Sequence, residues 1–141
     1  MSWLDSLMKN TVESGVRNHA KATIKAMLIT AQTFNAQNER HPTPEGSTFA
    51  GISRQALECR PGWKRIPNSN QFVYEKSGIA LEIPDSWSLY DVIRQVVVIE
   101  VAAIVSHLAS GGAVLVAEAM QVVDDSFKDA KARASNPPQK P

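Results

Sequence analysis

Between residues 4 and 34 the apolar positions Leu4, Leu7, Met8, Val12, Val16, Ala20, Ile24, Met27, Leu28, Ala31 and Phe34 recur mostly three or four residues apart. That spacing predicts one long helix over about residues 3–39. Steps of four drift around a helix, so the stripe implies either a bend near Ser14-Gly15 or a helix that wraps its partner. From residue 40 the pattern changes. Gln71-Phe72-Val73-Tyr74-Glu75 and Ile79-Ala80-Leu81-Glu82-Ile83 are short runs of β formers joined by Lys76-Ser77-Gly78. They predict a hairpin with Gly78 at the turn and Ile79, Leu81 and Ile83 on its buried face.

Pro84-Asp85-Ser86-Trp87-Ser88 then opens a second helix, with Ser88 as cap and Asp91 as its reciprocal partner. This helix is expected to run from Ser88 to Ala109, to reverse at Gly111-Gly112 and to continue as a third helix over 113–134. The prolines agree, because 1–41 and 85–136 hold none. The expected fold is therefore α+β and helix-dominated: a long N-terminal helix, a loop and small β-hairpin over 40–84, and a C-terminal antiparallel helical hairpin. One domain is expected over 1–134, with 135–141 as a mobile tail. The polar stretch 39–66 is long for a connecting loop and suits a binding surface, with Phe49, Ile52, Leu57 and Trp63 as anchors and room for a short helix at 53–59.

The second helix is apolar on every side through Val96–Val105, and such a helix needs cover all round. Either the rest of the chain covers it or a second copy does. In the latter case Val97, Val101, Ile104, Val105, Leu108 and Leu115 form a self-association face. Membrane insertion is the remaining alternative; the charge-free window 101–117 is shorter than a span and is interrupted by His107 and Gly111-Gly112. A reversal at the glycines brings His107 within reach of Glu118, as a buried polar pair that fixes the register of the seam.

With 15 basic and 14 acidic residues in 141, the whole-chain charge excludes a strongly basic nucleic-acid coat. The charge is uneven, however. Arg17, Lys21 and Lys25 are spaced by four, and Arg60-Pro61-Gly62-Trp63-Lys64-Arg65 sets three cations around a tryptophan. Cations of this kind contact phosphates and an aromatic ring stacks on an unpaired base. A single cysteine, Cys59, forms no intrachain disulfide, and no His/Cys cluster has metal-ligand spacing, so neither metal nor cofactor is expected. The chain shows no secretory leader pattern, and a cytoplasmic location is expected. No nucleophile–base arrangement, P-loop or dinucleotide fingerprint is present, so no catalytic residue is assigned. The sequence thus suggests a non-enzymatic protein-binding or adaptor protein of the bacterial accessory kind, self-associating through its apolar helical hairpin. The alternative is a nucleic-acid-binding accessory factor using Arg17, Lys21, Lys25, Arg60, Trp63, Lys64 and Arg65.

Overall fold

A computed structural model describes residues 2–108 and 111–135, except the side chains of Ser2, 4–9 and 130–135. The expected tail therefore lies outside the described residues from Asn136 onward. Helix α1 (Ser2–Arg40) is unbroken through Ser14-Gly15, and Val16, Ala20, Ile24, Met27 and Ala31 form its buried stripe. The middle region is more regular than expected. A 3-10 turn at Glu45–Ser47 leads into α2 (Phe49–Glu58), which Thr48 caps by accepting a 2.9 Å bond from Gly51 N. Gly51 has no alternative here, because a Cβ would lie 1.6 Å from Glu45 O.

Three strands follow, β1 (Trp63–Arg65), β2 (Gln71–Tyr74) and β3 (Ile79–Glu82), antiparallel in the order β1-β2-β3. The predicted hairpin is β2–β3, with Gly78 at φ +71° in its turn. Its buried face holds Leu81 and Ile83, whereas Ile79 beside the turn is 44% exposed. The added strand, β1, pairs Trp63 with Tyr74, and their rings lie 5.0 Å apart.

Helix α3 (Leu89–Ile104) begins with both halves of the predicted capping box, Ser88 to Asp91 and back. It ends five residues earlier than expected, with Val105 N bonded to Val101 O. Helix α4 (Gly111–Ser135) starts at the two glycines, which correspondingly do not make the reversal. Gly112 serves close packing instead, since a Cβ there would meet Val105 O at 3.2 Å. In the first turn of a helix a glycine is tolerated, and here it lets α4 approach the end of α3.

Helix α3 is the centre of the molecule. Helices α1, α2 and α4 pack against it, and Val92, Ile93, Val96, Val97 and Val101 are fully buried. Cover comes from within the chain. Each residue fixed in that core offsets ordering entropy with roughly 1.5–3 kcal/mol of side-chain burial. No described helix is long and apolar enough to cross a membrane.

Candidate functional site

Among the described residues the core contains one carboxylate. Glu100 on α3 is 1% exposed, and five donors converge on it. Arg60 Nε donates to Oε2 at 2.6 Å and Nη2 to Oε1 at 2.8 Å, while Trp63 Nε1 donates to Oε2 at 2.8 Å. Thr23 Oγ1 lies 3.3 Å from Oε1 and His19 Nε2 2.7 Å from it. An ionised carboxylate has no proton to give, so the His19 ring is the donor. Burial alone would push the Glu100 pKa up. The bonds from Arg60, His19 and Trp63, with the charge of Arg60, outweigh it and hold the carboxyl at about 2. Reciprocally, the bond to Glu100 raises the Arg60 pKa against the effect of burial. With its lone pairs occupied, this carboxylate has no capacity left for a substrate.

A second ionic group ties the middle region together. Arg54, 5% exposed, donates to Ile83 O at 2.7 Å and to Asp85 Oδ1 at 2.7 Å. Arg65 grips Glu45 through both guanidinium arms and lies over the Phe72 ring at 5.5 Å. The bond from Arg65 is the main reason that the Glu45 carboxyl titrates below its ordinary range. Beside these charges a hollow of about 780 Å³ is lined by Thr43, Glu45, Glu58, Arg65 and Asn68–Asn70. Its ions are already neutralised by one another.

These bonds redistribute the residues chosen from the sequence. Arg60 and Trp63 turn inward to Glu100, Arg65 is held by Glu45 and Glu58, and Arg17 binds Glu118 on α4. Lys64 lies 4.0 Å from Glu75, and Lys21 and Lys25 are exposed on α1. The seven do not form one basic surface. The expected self-association face is also corrected, because Val97, Val101, Val105 and Leu115 are at most 2% exposed and Leu108 is half-buried. Ile104 alone of the six is open, at 38%. Nor do His107 and Glu118 form a buried pair: His107 is exposed, and Glu118 faces Arg17. The physical reason is register. Tyr90 meets Phe127 and Gly112 lies against Val105, contacts that centre the reversal before the glycines rather than on them.

The open apolar surface is elsewhere, at the end of the molecule where α3 begins. Leu28 and Ala31 of α1, Phe49 and Ile52 of α2 and Leu89 of α3 line an apolar hollow of about 210 Å³, with Gln32, Asn35 and Ser53 among its polar members. Phe49 is 76% exposed, although a buried phenylalanine would contribute about 1.5–3 kcal/mol. A wider hollow of about 550 Å³ continues from Phe49, Ile52 and Asn35 to Asp85, Ser86 and Trp87. The cap at Thr48 and the contact at Gly51 fix where Phe49 stands. Of the four anchors named in the long loop, Leu57 and Trp63 are core, Ile52 is the floor of the hollow, and Phe49 is its open rim.

Comparison with known proteins returned no matching family model, no matching curated protein and no matching solved structure.

Proposed function

We propose that the protein is a non-enzymatic binding protein, an adaptor whose docking site is the groove bounded by Leu28, Phe49, Ile52 and Leu89. The observation that carries this reading is Phe49, a large apolar side chain held out of the core by a capped helix start and bordering an apolar hollow. Exposed apolar surface rimmed by polar groups is the usual form of a protein contact, and aromatic residues dominate the energy of such contacts. The ligand class is an apolar side-chain row on another polypeptide segment, most simply one face of a helix. A chain with one cysteine and no intrachain disulfide to form is compatible with a reducing compartment, which supports the cytoplasmic reading.

Selection of peptides from a random library on the wild-type chain, with counter-screening on Phe49→Asp, tests this. Amphipathic apolar peptides that bind the wild type and fail on the variant are expected. A selection that yields no such peptide, or peptides indifferent to Phe49, contradicts the proposal.

A further inference from the structure

The three-stranded sheet has two edges, and they differ. In an antiparallel sheet, successive residues of a strand turn their N–H and C=O groups to opposite sides. Ile66 N bonds to Gln71 O and Glu75 N to Gly62 O, so on β1 it is Trp63 and Arg65 that turn these groups outward. That edge is blunted. Trp63 N is bonded back to Arg60 O at 3.2 Å, and Lys64 and Arg65 add positive charge to a very short strand.

At the other edge, Ile83 N bonds to Asn70 O, in the register that pairs Leu81 with Phe72 and Ile79 with Tyr74. Ala80 and Glu82 therefore turn their N–H and C=O groups away from β2, where no described strand receives them. The usual protections of an edge are missing here. Residues 79–83 hold no lysine and no proline, and the ladder to β2 runs without a bulge. Ala80 and Glu82 are exposed, and Ile79, on the inner side of the pleat with Leu81 and Ile83, is left 44% exposed.

This strand is complementary to itself. In an antiparallel pair of two copies centred on Leu81, Ala80 of each copy lies opposite Glu82 of the other, and their outward N–H and C=O groups match. Leu81 then faces its own copy and Ile79 faces Ile83, all on the inner side, so Ile79 gains the cover it lacks. The neighbouring registers fail. Centring on Glu82 sets like charges opposite each other and brings Pro84, which has no N–H, to a hydrogen-bonding position. Centring on Ala80 runs Glu82 into the turn at Gly78.

We propose that the β3 edge is an interaction surface for a second copy of this chain, the two edges pairing antiparallel about Leu81 into one continuous sheet. The same patch serves both copies, so the assembly closes at a dimer. A single short strand pair buries less than about 1,200 Å² in total, and the dimer is accordingly weak and concentration-dependent. The inference does not depend on the reading of the Phe49 groove.

Sedimentation velocity on the full chain, over a micromolar-to-millimolar series, is expected to rise from monomer to a dimer plateau. Amide exchange read by NMR at the dilute and concentrated ends should show the Ala80 and Glu82 amides becoming protected. Those of Phe72 and Leu81, bonded within the sheet of one copy, are protected throughout. Ala80→Pro removes an outward N–H without removing a β2–β3 bond and should abolish association, with circular dichroism as the check on its fold. Ala80→Glu and Ala80→Lys read the register at an exposed position. The first sets like charges opposite Glu82 of the second copy and should weaken the dimer several-fold; the second sets opposite charges there and should tighten it several-fold. A chain that is monomeric throughout, a dimer in which the two amides stay unprotected, or equal affinities of the Glu and Lys variants overturns the proposal. Protection of the same amides only on adding an unrelated β-forming peptide assigns the edge to a foreign strand and also overturns it.

Discussion

Two regions of this protein invert the usual distribution of polar and apolar groups. At the centre, Glu100 and Arg60 place opposite charges in the core, and each is surrounded by partners. At the α3 start, Phe49 places an aromatic ring in water beside an apolar hollow that the chain leaves open. Both arrangements oppose solvation, but they differ in completion. Among the described residues no buried side-chain nitrogen or oxygen lacks a hydrogen-bond partner. The charged interior is a closed account of the fold, whereas the apolar end is an unfinished surface. Satisfied oddities point to structure and unsatisfied ones to function.

The comparison breaks most visibly at Glu100. Glu100→Gln leaves the Arg60 guanidinium without its counter-charge in the core, and a loss of about 3–5 kcal/mol in urea unfolding is expected. A loss below about 1 kcal/mol would mean that solvent reaches the cluster. The same carboxylate sets an acid limb. Its folded-state pKa of about 2 lies below the ordinary 4.5, so its contribution is present above pH 4.5 and is lost as pH falls through about 2. That difference corresponds to roughly 3 kcal/mol at neutral pH. Stability measured from pH 6 to pH 2 should therefore fall by about this amount more in the wild type than in Glu100→Gln; parallel curves would refute the assignment.

At the surface, effects on stability should be small. Arg17→Ala removes an exposed ion pair with Glu118 and is expected to cost about 0.2–1 kcal/mol. His107→Ala should change stability by less than about 0.5 kcal/mol, because this histidine is exposed and not paired in the helical seam. A larger effect at His107 than at Arg17 would reinstate the His107–Glu118 pair.

Local signals were legible where the physics is local. The α1 stripe, the Ser88–Asp91 capping box and Gly78 follow from neighbours a few residues apart. Strand β1 is three residues long and shows too little alternation to register; its one cue was the Pro67–Asn70 turn before Gln71. The glycine pair was misplaced because a glycine that ends a helix and one that admits a neighbouring backbone look alike in sequence. Long-range partners were illegible. In the sequence Glu100 is a charge within an apolar run, but nothing in its surroundings names Arg60, forty residues away, as its counter-ion. The same bond explains why the Arg60–Arg65 run resembled a binding surface: three of its side chains, Arg60, Trp63 and Arg65, are consumed by carboxylates distant in sequence. Phe49 was named among the loop anchors, but that its ring is left 76% exposed is displayed only by the folded chain.

The proposed docking role of the Phe49 end requires that this ring add nothing to the fold. The urea midpoint of Phe49→Asp tests it most directly. The account predicts a stability within about 0.5 kcal/mol of the wild type. A loss in the range of about 1.5–3 kcal/mol, the contribution of a buried phenylalanine, would contradict it by showing that this ring belongs to the core.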